Sequence, residues 1–179
     1  EGERYVNGSW QPRGFEPRPV GRHGPANATL FVLPDAPAVP LETLRGADRR
    51  LLLAGYTLSS PRVVDALVAA SRRGVTVRVL LEGGPVGGLS RREAAALDRL
   101  TRAGAAVRLV GGPRARFSYH HPRYAVADGR AVVATENWVP GGVDGKDNRG
   151  WGVRVSDPAL VADLAALFDA DATGPGARP

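Results

Sequence analysis

The chain has 179 residues, 43% of them apolar, a formal net charge of +6 from 24 Lys and Arg against 18 Asp and Glu, and no cysteine. That length suffices for one domain with a substantial core. The missing cysteines exclude disulfides and thiolate chemistry, and no apolar run reaches the roughly 18 residues of a membrane helix.

Every basic residue except Lys146 is Arg, with acids interspersed. The balance favours polyanionic partners without marking a dedicated nucleic-acid face. The chain starts at Glu1 with no signal-peptide pattern, which reads as a processed form or an excised fragment. Two acceptor sequons, Asn7-Gly8-Ser9 and Asn27-Ala28-Thr29, lean slightly toward export.

Residues 1–28 are rich in Pro, Gly and Arg, which reads as an extended arm or linker packed down by Trp10 and Phe15, with His23 an exposed loop histidine. Thr29–Leu33 is a short apolar run expected to form a buried strand, and a short helix follows near Leu41–Ala47. Leu51–Tyr56 is a second buried strand. Ser60-Pro61 opens a helix that Gly74 stops. Val75–Leu81 is the next strand, and Gly83-Gly84-Pro85-Val86-Gly87-Gly88 lacks the spacing of a nucleotide-phosphate loop. It reads as a flexible loop at the carboxyl end of that strand, the edge where α/β sheets place ligands. Ser90-Arg91-Arg92-Glu93 is a capping box for a helix ending at Gly104, and Val107–Val110 is the fourth strand. This rhythm predicts an α/β fold: a mixed, largely parallel sheet flanked by helices on both faces. Gly152–Val155 makes a last strand, Asp157-Pro158 caps a last helix, and residues 173–179 read as a tail or linker, leaving a domain over 29–172.

Asp128-Gly129, flanked by Val126, Val132 and Val133, is a strong β-hairpin signal. The hairpin carries His121 and Arg123 at the start of its first strand and Thr135-Glu136-Asn137 at the end of its second, so these groups converge on one sheet edge. An imidazole, a guanidinium and an amide meeting there make a phosphate site. Asp128, an odd number of residues beyond His121, faces away from it and is expected to close the turn. His120 reads as a loop histidine satisfied by backbone carbonyls. Trp138 and Trp151 read as packing residues beside the site.

His121-x-Arg123-x4-Asp128, followed by Ala134-Thr135-Glu136-Asn137, resembles the signature of the phospholipase D superfamily, His-x-Lys-x4-Asp and then Gly-Ser-x-Asn. The likeness runs from about Ala28 to Ala172, includes Trp138 and the Asn148-Arg149 pair, and is nearest to archaeal-type members. Arg123 stands where Lys is usual and Thr135 where Ser is usual. The hairpin is one residue short, and Gly150 stands where many members carry a Glu that orients the histidine.

The resemblance implies a metal-independent, cofactor-free phosphodiesterase acting on nucleic acid or a phospholipid headgroup. His121 would be nucleophile or acid, Arg123 and Asn137 phosphate clamps, Thr135 a hydroxyl donor, and Glu136 the carboxylate that orients an imidazole in place of the missing one. Asp128, the last member of the motif, keeps its structural reading. Two histidines are needed and one motif copy is present, so a second module is required, in cis or as a homodimer. The alternative is a non-catalytic module that binds phosphates through Arg123 and Asn137.

Overall fold

Leu51, Leu52, Leu53 and Ala54 are apolar on both sides of an extended chain, so their strand must lie inside a sheet covered on both faces. The computed structural model bears this out. It describes residues 3–6, 9–12, 21, 24–113, 115 and 117–179; His23, Phe15, Asn7, Gly8 and the packing of Trp10 lie outside the described residues.

In chain order the elements are β1 (Glu3–Val6), β2 (Ser9–Pro12), β3 (Ala28–Leu33), α1 (Ala38–Arg45), β4 (Arg50–Gly55), α2 (Pro61–Arg72), β5 (Thr76–Glu82), α3 (Arg91–Arg102), β6 (Ala106–Val110), β7 (Tyr124–Ala127), β8 (Arg130–Ala134), β9 (Gly150–Val155), α4 (Pro158–Thr173) and β10 (Ala177–Arg178). β1 and β2 pair antiparallel where an extended arm was expected. The other eight strands form one sheet in the order β10-β6-β5-β4-β7-β8-β9-β3.

Leu51 and Leu53 pack into a core with α1, α2 and α3, while Leu52 and Ala54 pack into a second core with α4 on the opposite face. The fold is therefore α/β, with a mixed sheet and helices on both sides. Its parallel part is narrower than the strand–helix rhythm predicts, because only β4–β5 and β5–β6 pair in parallel. β3, β4, β5, β6 and β8 all point one way, but β7, β9 and β10 run against them. The hairpin and β9 insert between β4 and β3, pushing β3 to the sheet edge. There its first three residues are exposed, so β3 is buried only over Phe31–Leu33, with Val32 half-buried.

The capping signals mostly hold. Ser60 and Ser90 accept N–H bonds from Val63 and Glu93 at 3.1 Å, and Asp157 accepts from Leu160 at 2.8 Å. Glu93 departs from the capping box: its buried carboxylate accepts the Leu58 N–H at 2.8 Å, and burial pushes its pKa up against that bond. The expected tail is docked as well, for Ala177–Arg178 pair with Leu109–Val110 of β6.

Candidate active site

Strand direction decides which groups meet. The carboxyl ends of β4, β5 and β8 share one sheet edge with the amino ends of β7 and β9, so Tyr56, Glu82, His121, Arg123, Thr135–Asn137 and Gly150 are all delivered to that edge. The hairpin register, Tyr124 opposite Val133 and Ala127 opposite Arg130, is the one the Asp-Gly turn implies.

Two of the expected site residues bond directly. Arg123 Nε–H donates to Asn137 Oδ1 at 2.7 Å, which fixes the guanidinium and turns the amide. Among the described residues that is their only side-chain hydrogen bond, so the terminal guanidinium nitrogens and the Asn137 NH2 remain available as donors. Asn137 is itself held by its backbone carbonyl, which accepts N–H groups from Val139 and Val143 at 2.8 and 3.1 Å.

His121 is exposed and its ring rests on that of Tyr56, centroid to centroid 4.2 Å. Its pKa is lowered from the usual 6.5, first by partial burial and then by the Arg123 charge. A hydrogen bond with its own backbone and the Glu82 carboxylate pull the other way. Imidazole near pH 7 is then neutral, with a free lone pair.

Sequence reasoning missed Tyr56 and Glu82. The Tyr56 hydroxyl accepts the Val86 N–H at 2.7 Å, tying the Gly83–Gly88 loop to the histidine. That loop does lie at the site edge, as expected. Buried Glu82 accepts the Gly84 N–H at 2.8 Å and the His120 N–H at 2.6 Å, anchoring the backbone just before His121. The signal was legible in part: a lone acid closing an apolar strand is costly to bury and needs polar partners.

His120 differs from expectation. It is 3% exposed, its ring nitrogens have no hydrogen-bond partner, and Nε2 lies 3.7 Å from Asp171 Oδ2. It is a core histidine rather than one satisfied by carbonyls.

Thr135 is turned toward β9: its hydroxyl accepts the Trp151 N–H at 3.1 Å and lies 3.3 Å from the Trp151 carbonyl. The hydroxyl expected to serve a ligand is thus engaged with the sheet. Glu136 accepts from Asn148 Nδ2 at 3.2 Å and stands against Gly150, where a Cβ would lie 2.6 Å from its Oε1. Its carboxylate meets Asn148 rather than an imidazole of this chain. Asp128 lies just past the far end of β7, in the hairpin turn. With φ at 50°, its carboxylate accepts the backbone N–H groups of Asp48 at 2.7 Å, Arg49 at 3.2 Å and Arg50 at 2.8 Å.

Trp138 is fully buried and donates its indole N–H to the Ala54 carbonyl at 2.9 Å. It fits because residue 55 is Gly, whose missing Cβ would lie 2.6 Å from the indole ring. Trp151, in contrast, is 55% exposed and does not pack as expected. The loop 139–149 is tied down by buried Asp144, which accepts the Ser60 hydroxyl.

A family-wide sequence model described as the phospholipase D-like domain of cardiolipin synthase matches residues 41–172. The chain is 26% identical over 131 residues to a mitochondrial cardiolipin hydrolase of Chlamydomonas reinhardtii. That match takes in 72% of this chain and 54% of that protein, so the chain spans about half the length of the curated relative. Two solved structures share the fold. Nuc from Salmonella typhimurium, a phospholipase D family member, superposes with a TM-score of 0.74 at 18% identity over 86% of this chain and 99% of that one. NucT from Helicobacter pylori gives a TM-score of 0.73 at 15% identity over 86% of this chain and all of its own. The chain belongs to the phospholipase D superfamily, in the family of cardiolipin synthase phospholipase D-like domains.

Proposed function

We propose that the protein is a phosphodiesterase that cleaves a phosphodiester through a phosphohistidine, with His121 as nucleophile. The observation that carries this reading is the grouping of a neutral-biased imidazole, His121, with an Arg123–Asn137 pair whose remaining donors are free. A ring nitrogen of His121 attacks phosphorus, forming a P–N bond as the P–O bond to the leaving alcohol breaks. Arg123 and Asn137 hold the non-bridging oxygens and the charge that builds on them. The leaving oxygen takes a proton from the equivalent histidine of a second module, in cis or in a homodimer. Water then attacks the phosphohistidine while giving a proton back to that second histidine; the P–N bond breaks, restoring His121 and releasing the phosphate product. Glu136, anchored by Asn148, supplies a carboxylate at the site edge in place of one at position 150.

The substrate class is a diester of nucleic acid or of a phospholipid headgroup, the latter suggested by the cardiolipin hydrolase relative. Hydrolysis of bis-p-nitrophenyl phosphate in EDTA is the test. Turnover by the intact protein that His121→Ala reduces by a factor of about 1,000 or more supports the reading. Equal rates for the two proteins make this a phosphate-binding module instead.

A further inference from the structure

At the opposite edge of the same sheet lies a polar cleft of about 280 Å³ lined by Asn27, Thr29, Arg130, Arg154, Val155 and Ser156. Its composition follows from register. Thr29 of β3 is directly opposite Arg154 of β9, and Arg154 is opposite Val132 of β8, two residues beyond Arg130. Directly opposed residues share a face, and so do residues two apart. The two guanidinium-bearing side chains are therefore diagonal neighbours on one face, with the polar side chains of Thr29, Ser156 and Asn27 on that same face.

Among the described residues neither the Arg130 nor the Arg154 guanidinium has a hydrogen-bond or ion-pair partner, although both backbones pair in the sheet. This differs from Arg78, Arg99 and Arg149, which pair with Asp169, Asp65 and Asp35. Adjacent like charges on neighbouring strands repel, and an anion placed between them removes that cost. Guanidinium forks and hydroxyls are the donors that suit a phosphate's oxygens.

We infer that this cleft is a second oxyanion site, which takes a backbone phosphate of a polynucleotide. Two observations favour a polynucleotide over a lipid surface. The lining offers charge and hydroxyls but only one apolar residue, buried Val155, so no side chain of the lining enters a bilayer. Moreover, the cleft and the His121 edge are at opposite ends of β8, on the order of 16 Å apart at about 3.3 Å per residue. A flat membrane seated on one edge leaves the other facing away, whereas a flexible polyanion can reach both. The inference deepens the reading of the protein as a phosphodiesterase by naming the substrate class. The cleft itself contains none of the groups assigned to turnover.

The test uses the full chain in a His121→Ala background, so that binding is read without turnover and its failure is distinct from a failure of the proposed activity. Fluorescence anisotropy of a labelled single-stranded oligonucleotide in EDTA, over a range of salt, compares this parent with Arg130→Gln/Arg154→Gln. Loss of the site is expected to raise Kd tenfold or more at about 0.1 M salt. It should also reduce the slope of log affinity against log salt by about 1.4, the value for two single-strand phosphate contacts. Arg72→Gln/Arg91→Gln, an equal loss of charge at exposed helix positions, is expected to change Kd less than threefold. Equal weakening by this control, or unchanged binding in the cleft variant, overturns the inference. So does loss of sedimentation with cardiolipin vesicles while oligonucleotide binding is kept, which makes the ligand a lipid. Arg130→Gln alone, at an exposed first position of its strand, gives the same readout with a smaller expected shift should the double variant fold poorly.

Discussion

Glu136 occupies the space that a side chain on Gly150 would fill: a Cβ at Gly150 would lie 2.6 Å from Glu136 Oε1 and 2.8 Å from Cδ. The carboxylate and the glycine are therefore one structural feature. An acid on the β8 side of the site requires an empty position on β9.

Gly150→Ala is expected to destabilise the protein by about 1–3 kcal/mol, the usual cost of forcing a group into a filled space. Glu136→Ala in the same chain should recover most of that loss. Thermal melts of the two single variants and the double variant measure the coupling, and additive effects would show that the two positions do not share one volume.

The pH dependence of His121 follows from its neighbours. Partial burial and then Arg123 lower its pKa, so the neutral nucleophile persists below pH 6.5 and is lost only as pH falls further. Arg123→Gln removes a lowering charge. The imidazole pKa, followed by NMR titration, is expected to rise, while hydrolysis drops at least 100-fold from loss of the clamp. An unchanged or lower titration midpoint in Arg123→Gln would show that the guanidinium does not act on this ring.

Tyr56 connects the histidine to the Gly83–Gly88 loop through one ring contact and one hydrogen bond. Tyr56→Phe keeps the ring and removes the acceptor for Val86, so KM should rise severalfold with kcat nearly kept. Tyr56→Ala also removes the surface against which His121 rests, and a fall in kcat of tenfold or more is expected. Steady-state kinetics of the two variants separates the effects.

Asp128 is expected to govern stability and not chemistry. Burial pushes its pKa up, but three backbone N–H bonds and the Arg49 charge more than offset this and hold it below the usual 3.8. A carboxyl lowered by folding contributes stability above the unfolded-state pKa, and that contribution is lost as pH falls through the folded-state value. Asp128→Ala is expected to cost about 2–4 kcal/mol at pH 7, since charged acceptors contribute more than neutral ones and three donors lose their partner. The gap from the parent should narrow in denaturant melts at the most acidic pH the fold tolerates. Specific activity of the folded fraction should stay the same.

Local chemistry is what the sequence by itself determined. Ser60-Pro61, Ser90 and Asp157-Pro158 begin helices because a side-chain oxygen satisfies an otherwise orphaned N–H within three residues, an interaction that needs no distant partner. The Asp128-Gly129 turn fixed the hairpin register, and that register brings Arg123 to the end of the hairpin where Asn137 follows. Pairing between distant strands was not legible, because β3 finds β9 across more than 100 residues, and periodicity carries no information about neighbours. For the same reason the parallel content was overestimated, and Trp151 was left exposed although Val153 and Val155 on the same face of β9 pack in the core with α4. Tyr56, the partners of Glu82 and the Gly150–Glu136 fit emerged only in three dimensions. Each depends on residues that the chain brings together from separate strand ends, where sheet order decides what meets.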